Sequence, residues 1–179
     1  PRQRHQLRLD LDTGENAVFA IADLPQHVEK FGFILGLEKR TFREQDPVNI
    51  LAAELMGKLH DALEESGYRG HDLERFLVRL LFCLFADDTG IFEPRGILEE
   101  LVIDRTAEDG SDTGAWLQRL FEILNQPADQ RQRNLDDDLA KFPYVNGDLF
   151  AERLPIADFN TKMRALLIEA CGFKWDAIS

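Results

Sequence analysis

Two adjacent carboxylates, Asp87 and Asp88, close the most apolar stretch of the chain, Phe76 to Phe85, and lead into Thr89 and Gly90. Paired acids at the edge of a core can hold a divalent cation, divide general acid and base roles, or cap a turn. The position is unusual, because the C-terminal end of a helix carries partial negative charge and disfavours anions. A cation would want a third carboxylate or a histidine at helical spacing, and the nearest acid, Glu93, stands across a turn. The alternative is architectural: the aspartates accept hydrogen bonds from amides of the following "TGIFEP", or pair with Arg75, Arg79 or Arg95. The residues favour that reading, with Asp87, Asp88, Thr89 and Gly90 as a structural turn.

Other candidate motifs fail on spacing. "DPVN" at 46–49 has the start of a [DN]-P-P-[YF] methyl-transfer loop but lacks the second proline and the aromatic. It makes better sense as a helix start, with Asp46 as N-cap and Pro47 in the first turn. "FGFILG" at 31–36 has its glycines wrongly placed for a cofactor loop and lies in no strand–turn–helix unit. No D…E-x-K nuclease pattern, nucleophile elbow or phosphate-binding loop occurs. His5, His27, His60 and His71 are scattered and pair with no Cys or His at ligand spacing. No catalytic, cofactor-binding or metal-binding residue is assigned.

The elements that would position these residues are mostly helical. Leu7, Leu9 and Leu11 alternate with Arg8 and Asp10, and Ala17 to Ile21 follows a turn, which predicts a β-hairpin. A lone hairpin is marginal in water, so it reads as the remnant of an upstream α/β domain, and Pro1 in place of Met agrees. Leu51, Leu55, Leu59 and Leu63 predict a helix ended by Gly67. Asp72 opens a second, apolar on all sides through Leu73, Phe76, Leu77, Leu80, Leu81 and Leu84, which should be the most buried element. Pro94 opens a third through Leu98 and Leu101; Asp112 or Thr113 caps a fourth with Trp116, Leu117, Leu120, Phe121 and Leu124 inward. "PADQRQRNLDDDL" should be loop leading into a short helix. Asn146-Gly147 predicts a small hairpin near 144–150. Asp158 starts the last helix, closed by Gly172, and Trp175 beyond it has no obvious partner. The fold class is therefore mainly α, a bundle-like helical unit preceded by the hairpin. The expected organisation is 1–22 as the end of an N-terminal domain, 23–45 as connector and 46–179 as the helical domain.

Charge limits the partners. Residues 1–45 carry seven basic and seven acidic side chains, so the formal net charge of −12 belongs to residues 46–179. Nucleic-acid affinity comes largely from neutralising phosphates, so this chain alone should bind DNA poorly. The one local basic cluster, Lys39, Arg40 and Arg43, is the candidate contact to DNA or to a neighbouring domain, weighed against a solvated connector. Cys83 and Cys171 both fall in apolar helical settings, which suits a reducing, cytoplasmic location. No apolar run approaches the ~20 residues of a membrane span.

Three long blocks carry a family resemblance: "IADLPQHVEKFGFILGLEKRTFREQDPVNILAAELMGKLHDALEESGY", "LVRLLFCLFADDTGIFEP" and "FPYVNGDLFAERLP". They closely resemble the MmeI-like class of single-chain restriction–modification enzymes. These fuse an N-terminal endonuclease, a helical spacer, an adenine-specific DNA methyltransferase and a target-recognition domain. The resemblance implies that the hairpin ends the nuclease-like domain and that residues 46–172 are the spacer. Nuclease residues would then lie upstream of Pro1, and the S-adenosylmethionine loop and N-P-P-[YF] motif beyond Ser179. S-adenosylmethionine, and Mg²⁺ where a nuclease is active, would be cofactors of the parent protein. Its partners would be DNA and the adjacent nuclease-like and methyltransferase domains. Three function classes stand at this point: a non-catalytic spacer, a stand-alone protein–protein interaction module, and a metal-dependent enzyme built on Asp87 and Asp88.

Overall fold

The computed structural model describes residues 6–10, 16–20 and 47–177. Among these residues the protein is mainly α. Strands β1 (Gln6–Asp10) and β2 (Asn16–Ala20) pair antiparallel, Arg8 opposite Val18. The residues between them, their side chains and the basic cluster Lys39, Arg40 and Arg43 lie outside the described residues. Six helices follow: α1 (Pro47–Glu65), α2 (Gly70–Thr89), α3 (Ile97–Arg105), α4 (Thr113–Leu124), α5 (Asp137–Ala140) and α6 (Thr161–Gly172).

Pro47 begins α1 in the first-turn position where a missing N–H costs nothing. Its inward face is Ala52, Leu55, Met56, Leu59 and Leu63, all 5% exposed or less. Leu51, expected on that face, is 54% exposed. A step of four residues overshoots a 3.6-residue turn by about 40°, so Leu51 sits about 120° round the helix from Leu63. The helix ends in a Schellman motif: the Tyr68 N–H donates to Leu63 C=O and the Gly67 N–H to Glu64 C=O, with Gly67 at φ 99°.

Helix α2 begins two residues before Asp72 and is buried on every side from Phe76 to Asp87 except in its last turn. Its aromatic rings reach the surrounding layers. Phe76 meets Tyr68, Phe121 and Phe159 edge-on; Phe82 meets Phe92 and Phe150; Phe85 meets Trp175. Helices α1 and α6, the first and last of the series, pack against each other as well as against α2. Helix α3 packs on α2 and α6. At the start of α4, Gly114 lies so close to the 156–157 backbone that a Cβ would overlap the Ala157 carbonyl.

Several expected boundaries move. Pro94 stands in the turn before α3, which starts at Ile97 after Gly96. Asp112 precedes α4 without capping it; its carboxylate accepts instead from the Ala107 N–H at 2.7 Å. Helix α6 starts at Thr161, and its N-cap is Asn160, whose side chain accepts from the Met163 N–H.

Two expectations are overturned. Residues 144–150 form no strand. The Val145 N–H donates to the Leu124 carbonyl at the end of α4, and the Leu149 carbonyl accepts from Arg79, so those groups have partners other than a second strand. Trp175 is not partnerless but wholly buried, between Phe85 and Phe173, its indole N–H donating to Ala170 C=O. It folds the C-terminal turn back onto α2. No helix among the described residues is long and apolar enough to cross a membrane.

Candidate functional site

The chemistry-bearing residues gather along α2. Asp87 is 4% exposed. Its Oδ1 accepts from the Leu98 N–H at 3.0 Å and its Oδ2 from the Glu99 N–H at 3.4 Å. Gly96 and the first turn of α3 leave those amides without intrahelical acceptors, and the helix start carries partial positive charge. Asp87 thus closes α2 onto α3. Burial pushes its carboxyl above the usual range, and the backbone hydrogen bonds oppose that shift. The amides come from α3, beyond the "TGIFEP" segment the sequence pointed to, and no arginine among the described residues pairs with it.

Asp88 faces elsewhere: its Oδ2 accepts from the Asp176 N–H at 2.9 Å and anchors the turn that carries Trp175. Thr89 donates its hydroxyl to Phe85 C=O at 2.7 Å, and Gly90 takes a left-handed φ of 80° beside the Arg95 side chain. The two carboxylates therefore serve different neighbours and converge on no common point. Among the described residues, no group of three His, Cys, Asp or Glu side chains is arranged to hold a metal ion. The geometry does not fit a Mg²⁺ site at this pair.

The second buried charge on α2 is Arg79, 1% exposed. Its Nε donates to Leu149 C=O at 2.8 Å and its Nη2 to Glu152 C=O, and the guanidinium lies 5.6 and 5.7 Å from the ring centroids of Phe121 and Phe150. Sequence reasoning expected Arg75 and Arg79 to answer carboxylates. Arg75 does, standing 3.9 Å from Glu152, but Arg79 answers backbone carbonyls of a loop about 70 residues away. The available signal was one cation on the face of a helix otherwise apolar all round; its partners are too distant in sequence to be read.

Burial raises both thiols well above the ordinary value, so Cys83 and Cys171 remain protonated and poorly nucleophilic. Arg105 stacks on Trp116 at 4.7 Å from the ring centroid and pairs with Asp136 and Asp138, locking α5 to α3 and α4.

This helical body, with its buried aromatic α2 and the Asp87 closure, overlaps two known domain models. Residues 71–150 match the family model described as the MmeI helicase spacer domain, and residues 5–66 the one described as the MmeI N-terminal domain. The chain belongs to the MmeI family of restriction–modification proteins. It is similar to DNA methyltransferase A of Bacillus subtilis (strain 168), 38% identical over 171 residues that make up 93% of this chain and 19% of that protein. It is also similar to the solved chain of the Type IIL restriction–modification enzyme MmeI in complex with DNA. That match is 54% identical with a TM-score of 0.72, covering 76% of this chain and 18% of that one. The chain thus spans about a fifth of each relative's length.

Proposed function

We propose that this chain is the non-catalytic helical junction of an MmeI-type restriction–modification enzyme. On this reading it holds a nuclease-like module, whose end is the β1–β2 hairpin, in fixed relation to an S-adenosylmethionine-dependent adenine methyltransferase module. One observation carries the reading. Helix α1 lies in the N-terminal-domain match, α2 in the spacer match, and α6 beyond both, yet all three bury their apolar faces in one core. A displacement on one side of such a core is resisted by the other, because close-packed interiors deform little.

The chemistry of the enzyme, with S-adenosylmethionine and any nuclease Mg²⁺, belongs on this reading to its other modules, and so does the main DNA contact. Its place is the cytoplasm, where the unpaired Cys83 and Cys171 would stay reduced. Two titrations of the chain test the proposal. Calorimetry with S-adenosylmethionine should show no saturable heat. Fluorescence anisotropy with a labelled duplex should give no binding tighter than the nonspecific range of ~10⁻⁴–10⁻⁶ M at physiological salt. Saturable cofactor heat would overturn the non-catalytic reading. So would submicromolar duplex binding that weakens steeply with salt and is lost on replacing Lys39, Arg40 and Arg43.

A further inference from the structure

A cleft of about 380 Å³ opens beside α2, between α4 and the 150–153 turn, within the size range of small-ligand sites. Phe121 and Phe150 form part of its walls, and the Arg79 guanidinium lies against both rings. Arg79 uses Nε and Nη2 on the Leu149 and Glu152 carbonyls, which leaves Nη1 without an acceptor among the described residues. That donor is not closed off from solvent, so a ligand acceptor entering the cleft can take the place of water on it.

The cleft's own acids do not supply that acceptor. Glu122 pairs with Arg119 at 3.1 Å, and Glu152 turns its carboxylate to His71 at 2.9 Å. Arg153, exposed in the lining, has no ion pair among the described residues. Three arginines against two glutamates make the lining cationic on a chain of net charge −12. We propose that this cleft is a receptor for a carboxylate, held by the unused donor of Arg79 and by Arg153. A planar monoanion matches the guanidinium edge. The inference does not depend on the junction reading above.

The test is an amide NMR titration of the ¹⁵N-labelled chain with four probes: a capped Ala-Glu-Ala peptide, its Ala-Gln-Ala analogue, butyrate, and a short DNA duplex. Saturable shifts confined to residues 118–126 and 149–153 are expected with a carboxylate probe and not with the glutamine peptide. If the Glu peptide binds more tightly, the carboxylate comes from a protein side chain; if butyrate does, from a free small acid. Arg153→Gln, at an exposed position, should weaken that binding about tenfold, as loss of one charge-assisted hydrogen bond implies. Arg79→Lys keeps the charge but loses the fork, and should abolish binding if it folds. The proposal is overturned if neither carboxylate probe saturates, if the glutamine peptide binds equally, if Arg153→Gln leaves affinity unchanged, or if the duplex shifts the same amides at lower concentration.

Discussion

Helix α2 buries two charges, Arg79 and Asp87, two turns apart, and treats them oppositely. Neither is neutralised by an opposite side-chain charge at salt-bridge distance among the described residues; both rely on backbone dipoles. Asp87 engages both oxygens with the amides that open α3, so it is enclosed by its own fold. Arg79 engages two of its nitrogens with loop carbonyls, and its side chain also lines a cleft. The contrast separates a charge that closes architecture from one that leaves binding capacity; in the sequence the acidic pair ends the apolar run and Arg79 interrupts it.

The largest effect should come from the core between them. Leu80 is completely buried one residue from Arg79, and Leu80→Ala should lower unfolding free energy by roughly 2–5 kcal/mol in urea melts. A change under about half a kcal/mol, the size of an ordinary surface substitution, would mean that α2 is peripheral and the comparison misplaced.

Asp87→Ala should follow, at about 1.5–3 kcal/mol, the usual cost of losing hydrogen bonds to a charged acceptor. Asp87→Asn keeps one acceptor and should cost less. Titration separates the variants further. Burial raises the Asp87 carboxyl above its ordinary value of 3.8, so the folded chain holds this proton more tightly than the unfolded one. Its contribution to stability is complete below pH 3.8 and is lost as pH rises through the raised value. Asp87→Asn should remove that part of the pH slope in melts taken from acid to neutral pH. An unchanged slope would show that the carboxyl is not desolvated.

The smallest effect is expected at Asp88, which is partly exposed and accepts one amide. Asp88→Ala should cost less than Asp87→Ala, on the order of 1 kcal/mol, and should show first as altered Trp175 fluorescence. If Asp88→Ala proves the costlier of the two, the C-terminal turn supports the core more than the α2–α3 closure does.

Much of this fold can be read from local pattern. The all-round apolarity of α2, Pro47 at the start of α1 and Gly67 at its end each follow from short-range chemistry. What escaped depends on long-range partners. The Asn146-Gly147 turn signal is local, but a ladder needs a second strand, and the groups around it bond to α4 and Arg79 instead. Trp175 and Asp88 find each other's segments across 88 residues. Arg79 was expected to answer a carboxylate; its acceptors are instead backbone carbonyls, which carry no residue-type signal. The acidic turn at Asp87 was visible as an anomaly, but not the helix start that answers it.

The central claim is that α1 and α6, which flank the spacer match on either side, share one cooperative core. Native-state hydrogen exchange on the chain tests it most directly, because opening free energies identify which elements unfold together. The buried amides of α1, α2 and α6 should exchange through one common opening, and Leu59→Ala in α1 should lower the protection of α6 by the same free energy as its own. If α1 opens at lower free energy while α6 keeps its full protection, the two ends are separate units and the rigid-junction account is wrong.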